Sequence, residues 1–315
     1  MFASSTTRGI LFALTCLMLL GMMPVISNSR PAEIGALGFA FALSVWQVVF
    51  ALPVFAIELF GRNKGIFAAR LSVAERWRFP AMAVLTGAMF GLSTYLYVLG
   101  IQNAGAANGA IALQAYPLFA IIIEALFLRQ RRTRTELGLT AIMLMALYYL
   151  GTGGTWAMSG LDVWFLITLL VPLLWAAAHI IIRLEFARVP VTPAQVTFFR
   201  VAISTSILFA VVAIVEPQSL ATLATTAVLR PMSALMGLVY YLELVSWFYA
   251  IRHIAVSFAS TITTPWPVLT MILAVLLLGD TIALYQIGAL VVVIACIYGL
   301  MLAGLRQSGT MRQAG

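Results

Sequence analysis

Apolar residues run along this chain in stretches of about twenty, and short segments between them hold most of the charge. Ten stretches stand out: 9–27, 36–60, 80–101, 104–128, 136–151, 162–182, 194–215, 231–251, 255–279 and 283–304. A bilayer core of about 30 Å takes roughly 20 apolar residues per helix. Each stretch therefore reads as one crossing. The alternation of period two that a membrane barrel needs is absent. The pattern predicts an all-α integral membrane protein with ten transmembrane helices.

The pattern also repeats. Residues 95–151, shifted by 150 positions, fall on 245–301 without a gap. Ile101 lands on Ile251, Pro117 on Pro267, Leu128 on Leu278, Gly138 on Gly288, Tyr148 on Tyr298 and Leu150 on Leu300. Tyr97 meets another aromatic, Trp247. Five crossings per half is an odd number, so the second half starts on the opposite side. The expectation is two inverted-topology five-helix repeats, residues 1–155 and 156–315, around a central cavity, as secondary transporters are built.

Composition leaves the membrane as the only solvent that fits. Hydrophobic residues make up 63% of the 315 and charged residues 9%, and the mean hydropathy is +1.05. Too little polar surface exists to cover a soluble core. The net charge of +8 raises the question of nucleic acid, and its distribution answers it. With the N-terminus inside, the cytoplasmic side receives Arg8, Arg62, Lys64, Arg70, Arg76, Arg78, Arg129, Arg131, Arg132, Arg134, Arg183, Arg188, Arg252, Arg306 and Arg312, and the outside only Arg30 and Arg230. That asymmetry fixes both termini in the cytoplasm. No clustered basic domain for nucleic acid remains. Arg8 and the run after it resemble a signal peptide, but residues 24–30 lack a small-x-small cleavage site, so the run is kept as the first helix.

Cys16 and Cys296 both lie inside apolar stretches and supply neither a disulfide framework nor a metal site. No cofactor is expected. The basic segment 61–79 reads as an interfacial amphipathic stretch around Trp77, and 151–160 as a flexible outer connection between the halves. Glu58 and Arg62 are spaced to pair at a helix end. Glu124 lies one turn from the Arg129–Arg134 cluster and can snorkel toward it. Arg200 reads as a guanidinium pinning carbonyls or a carboxylate between helices, in preference to a substrate contact.

The fourth and ninth stretches carry the strongest functional signal. Gly105, Asn108, Gly109 and Gln114 precede Pro117, while Ser257, Ser260, Thr261, Thr263 and Thr264 precede Pro265-Trp266-Pro267. Proline frees a carbonyl one turn back, and such breaks are tolerated where the backbone faces protein or a wet cavity. Matched breaks in two inverted repeats point to a binding site, with Pro117, Pro265 and Pro267 as hinges. Close helix packing through small residues is the plainer alternative.

The eighth stretch places Tyr240, Glu243 and Trp247 on one face, and the third offers Phe90, Ser93 and Tyr97 at the matching positions. A carboxylate at mid-membrane needs a partner, a proton or water. Glu243 is therefore a candidate for binding an amino group or relaying a proton. Trp175 and His179 lie one turn apart on the sixth stretch and share a face. Aromatic stripes also serve plain packing, and a lone histidine can be purely structural.

Ala255-Val256-Ser257, Pro267, Leu278-Gly279-Asp280, Gln286 and Gly288 resemble the repeat unit of the drug/metabolite transporter superfamily, EamA type. Residues 104–138 are similar to the same unit, although Arg129-Gln130 departs from the Gly279-Asp280 pair. Phe198-Phe199-Arg200 resembles the family's arginine-bearing seventh helix, with Gln47 in the matching place of the second. Tyr116-Pro117, Trp175 and the aromatic third and eighth helices are similar to aromatic amino acid exporters of the YddG type. The resemblance implies a ten-helix basket and efflux of amino acids across a bacterial inner membrane.

The expected function is alternating-access export of small amphipathic metabolites, with aromatic or other hydrophobic amino acids foremost. Tyr97, Tyr116, Trp175, Tyr240, Trp247 and Trp266 would enclose the side chain. Ser93, Gln114 and Thr264 would hold its polar groups, with His179 and Glu243 beside them. The partners are then the small solute and membrane lipid, and a monomer suffices for a complete site. Export of drugs or other metabolites is the alternative within the superfamily. A lipid-modifying membrane enzyme is the alternative outside it, and it would need a clustered set of ligands or a nucleophile with its base.

Overall fold

The structure is a computed structural model that describes residues 5–31, 33–61, 64–127, 133–186, 188–217, 223–254 and 256–313. The regular secondary structure among them is helical throughout. In chain order the helices are α1 (Ser5–Asn28), α2 (Ala36–Phe60), α3 (Val73–Ala104), α4 (Ala106–Leu113), α5 (Tyr116–Phe127), α6 (Arg134–Gly151), α7 (Val163–Phe186), α8 (Pro193–Val215), α9 (Pro231–His253), α10 (Val256–Thr263), α11 (Trp266–Leu273) and α12 (Leu284–Gln313). Two pairs of short helices, α4 with α5 and α10 with α11, each make up one crossing.

Among the described residues, 9 helical segments are long and apolar enough to cross a membrane. Helix α6 is outside that set. Its 18 residues begin with Arg134 and Glu136, and these dilute an otherwise apolar helix. Three helices start with a reciprocal cap in which a side-chain oxygen accepts from the third backbone N–H and the third side chain reaches back: Ser72 with Glu75, Thr133 with Glu136, and Thr192 with Gln195. These caps satisfy N–H groups that the helix itself leaves open.

The 150-residue offset reappears in three dimensions. Helices α4 and α10 end at Leu113 and Thr263, α5 and α11 begin at Tyr116 and Trp266, and α6 and α12 begin at Arg134 and Leu284. Packing is matched as well. Helix α1 packs on α9 as α3 packs on α7, while α2 packs on α8 and α6 on α12. The counterpart helices run antiparallel. Glu58, in the last turn of α2, accepts a hydrogen bond from Thr192, the cap that opens α8. Gly154, just after α6, touches Tyr285 at the start of α12, and Gly299 late in α12 approaches Leu139 early in α6.

Helices approach closely where side chains are absent. A Cβ on Gly237 of α9 would sit 2.5 Å from Trp46 Cβ and 2.8 Å from the Leu43 carbonyl oxygen of α2. Lipid tails are as apolar as leucine, so such fit, rather than burial from water, holds the bundle. Gly105 alone joins α3 to α4 at φ +84°, a backbone angle that a side chain disfavours.

Several local expectations change. Arg62, Arg129, Gln130, Arg131 and Arg132 lie outside the described residues, and Glu58 bonds to Thr192. Glu124 forms an ion pair with Arg183, 3.7 Å away on α7. In the 61–79 segment Gly65–Ala68 forms a short 3-10 turn, and Trp77 belongs to the first turns of α3, where it is exposed.

Candidate functional site

The two breaks meet. Gln114, in the turn between α4 and α5, donates its side-chain amide N–H to the carbonyl of Thr264, in the turn between α10 and α11. These residues are 150 positions apart, so each contacts its own counterpart. In a pair of inverted repeats only residues at the pseudo-two-fold axis can do so. The Thr264 carbonyl has lost its helical partner, because Val268 N–H turns to Pro265. Gln114 supplies the replacement. The expectation that a freed carbonyl needs a new donor is met by protein here.

The prolines do not kink continuous helices. Pro117 and Pro267 are each the second residue of a new helix, and Pro265 caps α11. A proline fits a first turn, where the missing N–H has no helical acceptor. The discontinuity lies in the turn before it.

Beside this axis, aromatic and polar side chains from α3, α7, α8 and α9 converge. Ser93 is fully buried; its hydroxyl accepts from Trp175 Nε1 at 3.0 Å and donates to the Phe90 carbonyl at 2.9 Å. Tyr97 stacks on Trp175 with ring centroids 6.3 Å apart. Its hydroxyl is buried without a hydrogen-bond partner. His179 lies between Phe90, 5.3 Å away, and Tyr116, 5.8 Å away. Tyr240 is buried and accepts a hydrogen bond from Arg200 at 3.2 Å. Glu243, one turn on, accepts from the Cys16 thiol at 3.6 Å.

Trp266 packs in the same core as Tyr97 and Tyr240. Trp247 lies apart, in a smaller cluster with Ala13, Ala250 and Ile254. Of the candidate residues, Ser93, Tyr97, Tyr116, Trp175, His179, Tyr240, Glu243 and Trp266 therefore form one neighbourhood. Gln114 and Thr264 are joined to each other.

Arg200 of α8 joins this neighbourhood. Among the described residues, its guanidinium bonds to neither a carbonyl nor a carboxylate. Its guanidinium carbon sits 3.6 Å from the Phe90 ring centre and 5.8 Å from that of Tyr240. Phe90 and Tyr240 are themselves 150 positions apart, so the arginine lies between matched rings of the two halves. The offset that aligned the rings was visible in the sequence; that α8 inserts a cation between them was not.

Arg200 also closes the inner end of a cleft lined by Phe79, Ala83, Thr86, Ile182, Glu185 and Phe199. Arg78, near the start of α3, and Glu185, at the end of α7, form a 2.7 Å ion pair. None of the other candidate residues lines the cleft. Among the described residues, no group of three or more His, Cys, Asp or Glu side chains is placed to hold a metal ion.

Comparison with known proteins agrees with this architecture. The family model described as "EamA-like transporter family" matches residues 7–152 and again 162–302. A solved structure described as "Crystal structure of protein" superposes with a TM-score of 0.57 over 94% of this chain and 97% of its own, at 18% identity. At that identity the likeness speaks for the fold alone. No curated protein matches the sequence. With nearly its whole length accounted for by the two matched segments, the chain belongs to the EamA-like transporter family and is a multi-pass membrane transporter of the drug/metabolite transporter superfamily.

Proposed function

We propose that the protein exports small amphipathic metabolites, aromatic and other hydrophobic amino acids foremost, across a bacterial inner membrane. It has ten spans in two inverted halves, residues 1–155 and 156–315, with both termini in the cytoplasm. The halves rock about the turns before Pro117 and Pro267 and open one side at a time. The solute sits beside Tyr97, Tyr116, Trp175, His179, Tyr240 and Glu243.

The observation that carries this reading is the meeting of Gln114 and Thr264. Two broken helices cross at the axis of the repeat, beside a buried neighbourhood that is both aromatic and polar. A break at the axis gives each half a joint at mid-membrane, where inverted-repeat transporters hold their substrate. The aromatic side chains can enclose an apolar group, and their faces favour an ammonium.

Radiolabelled phenylalanine flux into proteoliposomes tests the reading. Wild type carries the label, and Tyr116→Ala, Trp175→Ala and Glu243→Gln each slow it about tenfold or more, the scale of one lost specific contact. Undiminished flux in all three variants places the substrate elsewhere. Flux with and without an imposed pH gradient then separates uniport from proton-coupled exchange.

A further inference from the structure

We propose that Arg200 and Glu243 act as a two-ended charge reader that restricts the substrate to zwitterions, Arg200 receiving a carboxylate and Glu243 an ammonium. The inference rests on the exporter reading above and adds the charge class of its substrate.

Arg200 has hydrogen-bonding capacity that its neighbours leave unused. An arginine has five N–H donors. Arg200 is 9% exposed and spends one donor on the Tyr240 hydroxyl. Its flat face is covered by Phe90. Among the described residues, no carboxylate lies within 4.0 Å of its guanidinium. The edge of the guanidinium that carries the remaining donors is the part that can take a planar anion in two parallel bonds.

Glu243 is the converse. Its carboxylate accepts from the Cys16 thiol at 3.6 Å, and a thiol is a weak donor. No cation among the described residues lies within 4.0 Å of it. Glu243 nonetheless sits within Coulombic range of Arg200. The Tyr97 hydroxyl, buried and unpartnered, faces the field of both Glu243 and Tyr240.

Two opposite charges in the middle of a membrane protein normally close on each other, because isolation there is costly. These two are held apart. Tyr240 occupies Arg200, and Glu243 stands one helical turn further along α9, about 4.5 Å by the rise of the helix. A ligand with both charges completes both partners at once. A ligand with one leaves the other partner buried and unpaired, which is the condition under which polar sites discriminate most strongly.

Thermal stabilisation of the purified protein by three probes that share a phenyl ring tests the proposal. Phenylalanine carries both charges, phenethylamine only the ammonium, and 3-phenylpropanoate only the carboxylate. Wild type is stabilised by phenylalanine at concentrations about tenfold or more below those of either half-ligand, the scale of one charge-assisted contact. In Arg200→Gln the advantage of phenylalanine over phenethylamine disappears while that over 3-phenylpropanoate persists. Glu243→Gln gives the opposite pattern. Arg200→Lys retains part of the wild-type preference.

A purely structural role for either residue lowers the melting temperature and leaves these ratios unchanged, and that result overturns the proposal. So does a wild type that binds a half-ligand as tightly as phenylalanine. If Arg200→Gln does not fold, the wild-type series and Glu243→Gln decide. Phenylalanine flux without charge discrimination sinks this inference alone. A wild type that neither binds nor carries phenylalanine sinks the exporter reading and this inference together.

Discussion

Gln114 and Thr264 show how one side chain can stabilise a break in a helix. The Thr264 carbonyl is buried, and its bond to Gln114 stands in for the helical one that is missing. Removing the donor leaves the oxygen unpaired, at a cost of about 1–3 kcal/mol. Gln114→Ala is therefore expected to lower the melting temperature of the purified protein, with little change for Gln114→Glu at a pH low enough to protonate the new acid. Equal melting of wild type and Gln114→Ala would show the bond to be dispensable. Gly237→Val tests packing in the same assay. Its added carbons meet Trp46 and the Leu43 carbonyl, and overpacking of this kind costs about 1–3 kcal/mol. At this scale the sequence is only partly legible. Glu243 stands out because a carboxylate among apolar residues is rare, and Tyr97, Trp175 and Tyr240 because of helical spacing. Arg200 reads along the chain as plain structure, because nothing in the sequence places its side chain between two rings that come from other helices.

Elements are more legible than residues, and the reason is period. A run of about twenty apolar residues fixes a crossing whatever its neighbours do, so the ends of α2, α8 and α9 fall within a few residues of the expected spans. The proline breaks are visible for the same reason, but their geometry is not. Proline in a sequence signals a lost N–H; whether it bends one helix or opens a new one depends on where the preceding turn is satisfied. Here the turns at 114–115 and 264–265 take the discontinuity, and Pro117 and Pro267 stiffen the first turns of α5 and α11. Substituting them should therefore leave stability nearly intact, since a first-turn proline contributes no hydrogen bond to lose. Their effect belongs to motion: Pro117→Ala and Pro267→Ala are expected to slow phenylalanine flux severalfold while the melting temperature stays close to wild type. A large loss of melting temperature with unchanged flux would reverse that assignment.

Two pairs of counterpart helices, α2 with α8 and α6 with α12, pack against each other and run antiparallel. That relation sets which loops share an end of the bundle. The turn Gly65–Ala68 meets Gln195 of α8 through Ile66 N–H at 3.1 Å, so it lies at the end where α2 finishes and α8 begins. Trp156 lies at the other end, packed beside Tyr148 and Tyr149 after α6. Phe67 and Trp156 are each 52% exposed, so either position can carry a label without disturbing the bundle. Cys16 and Cys296 are buried and should not react with a membrane-impermeant maleimide. The proposed orientation, with the basic segments inside, puts the Phe67 end in the cytoplasm. In intact spheroplasts Trp156→Cys should be labelled at once and Phe67→Cys only after the membrane is permeabilised. The reverse order would turn the protein over in the bilayer and make Arg200 the end of an outward cleft. Labelling of both from one side would mean that the ends assigned here by antiparallel packing do not face opposite compartments, and the two halves could not then work as alternating gates.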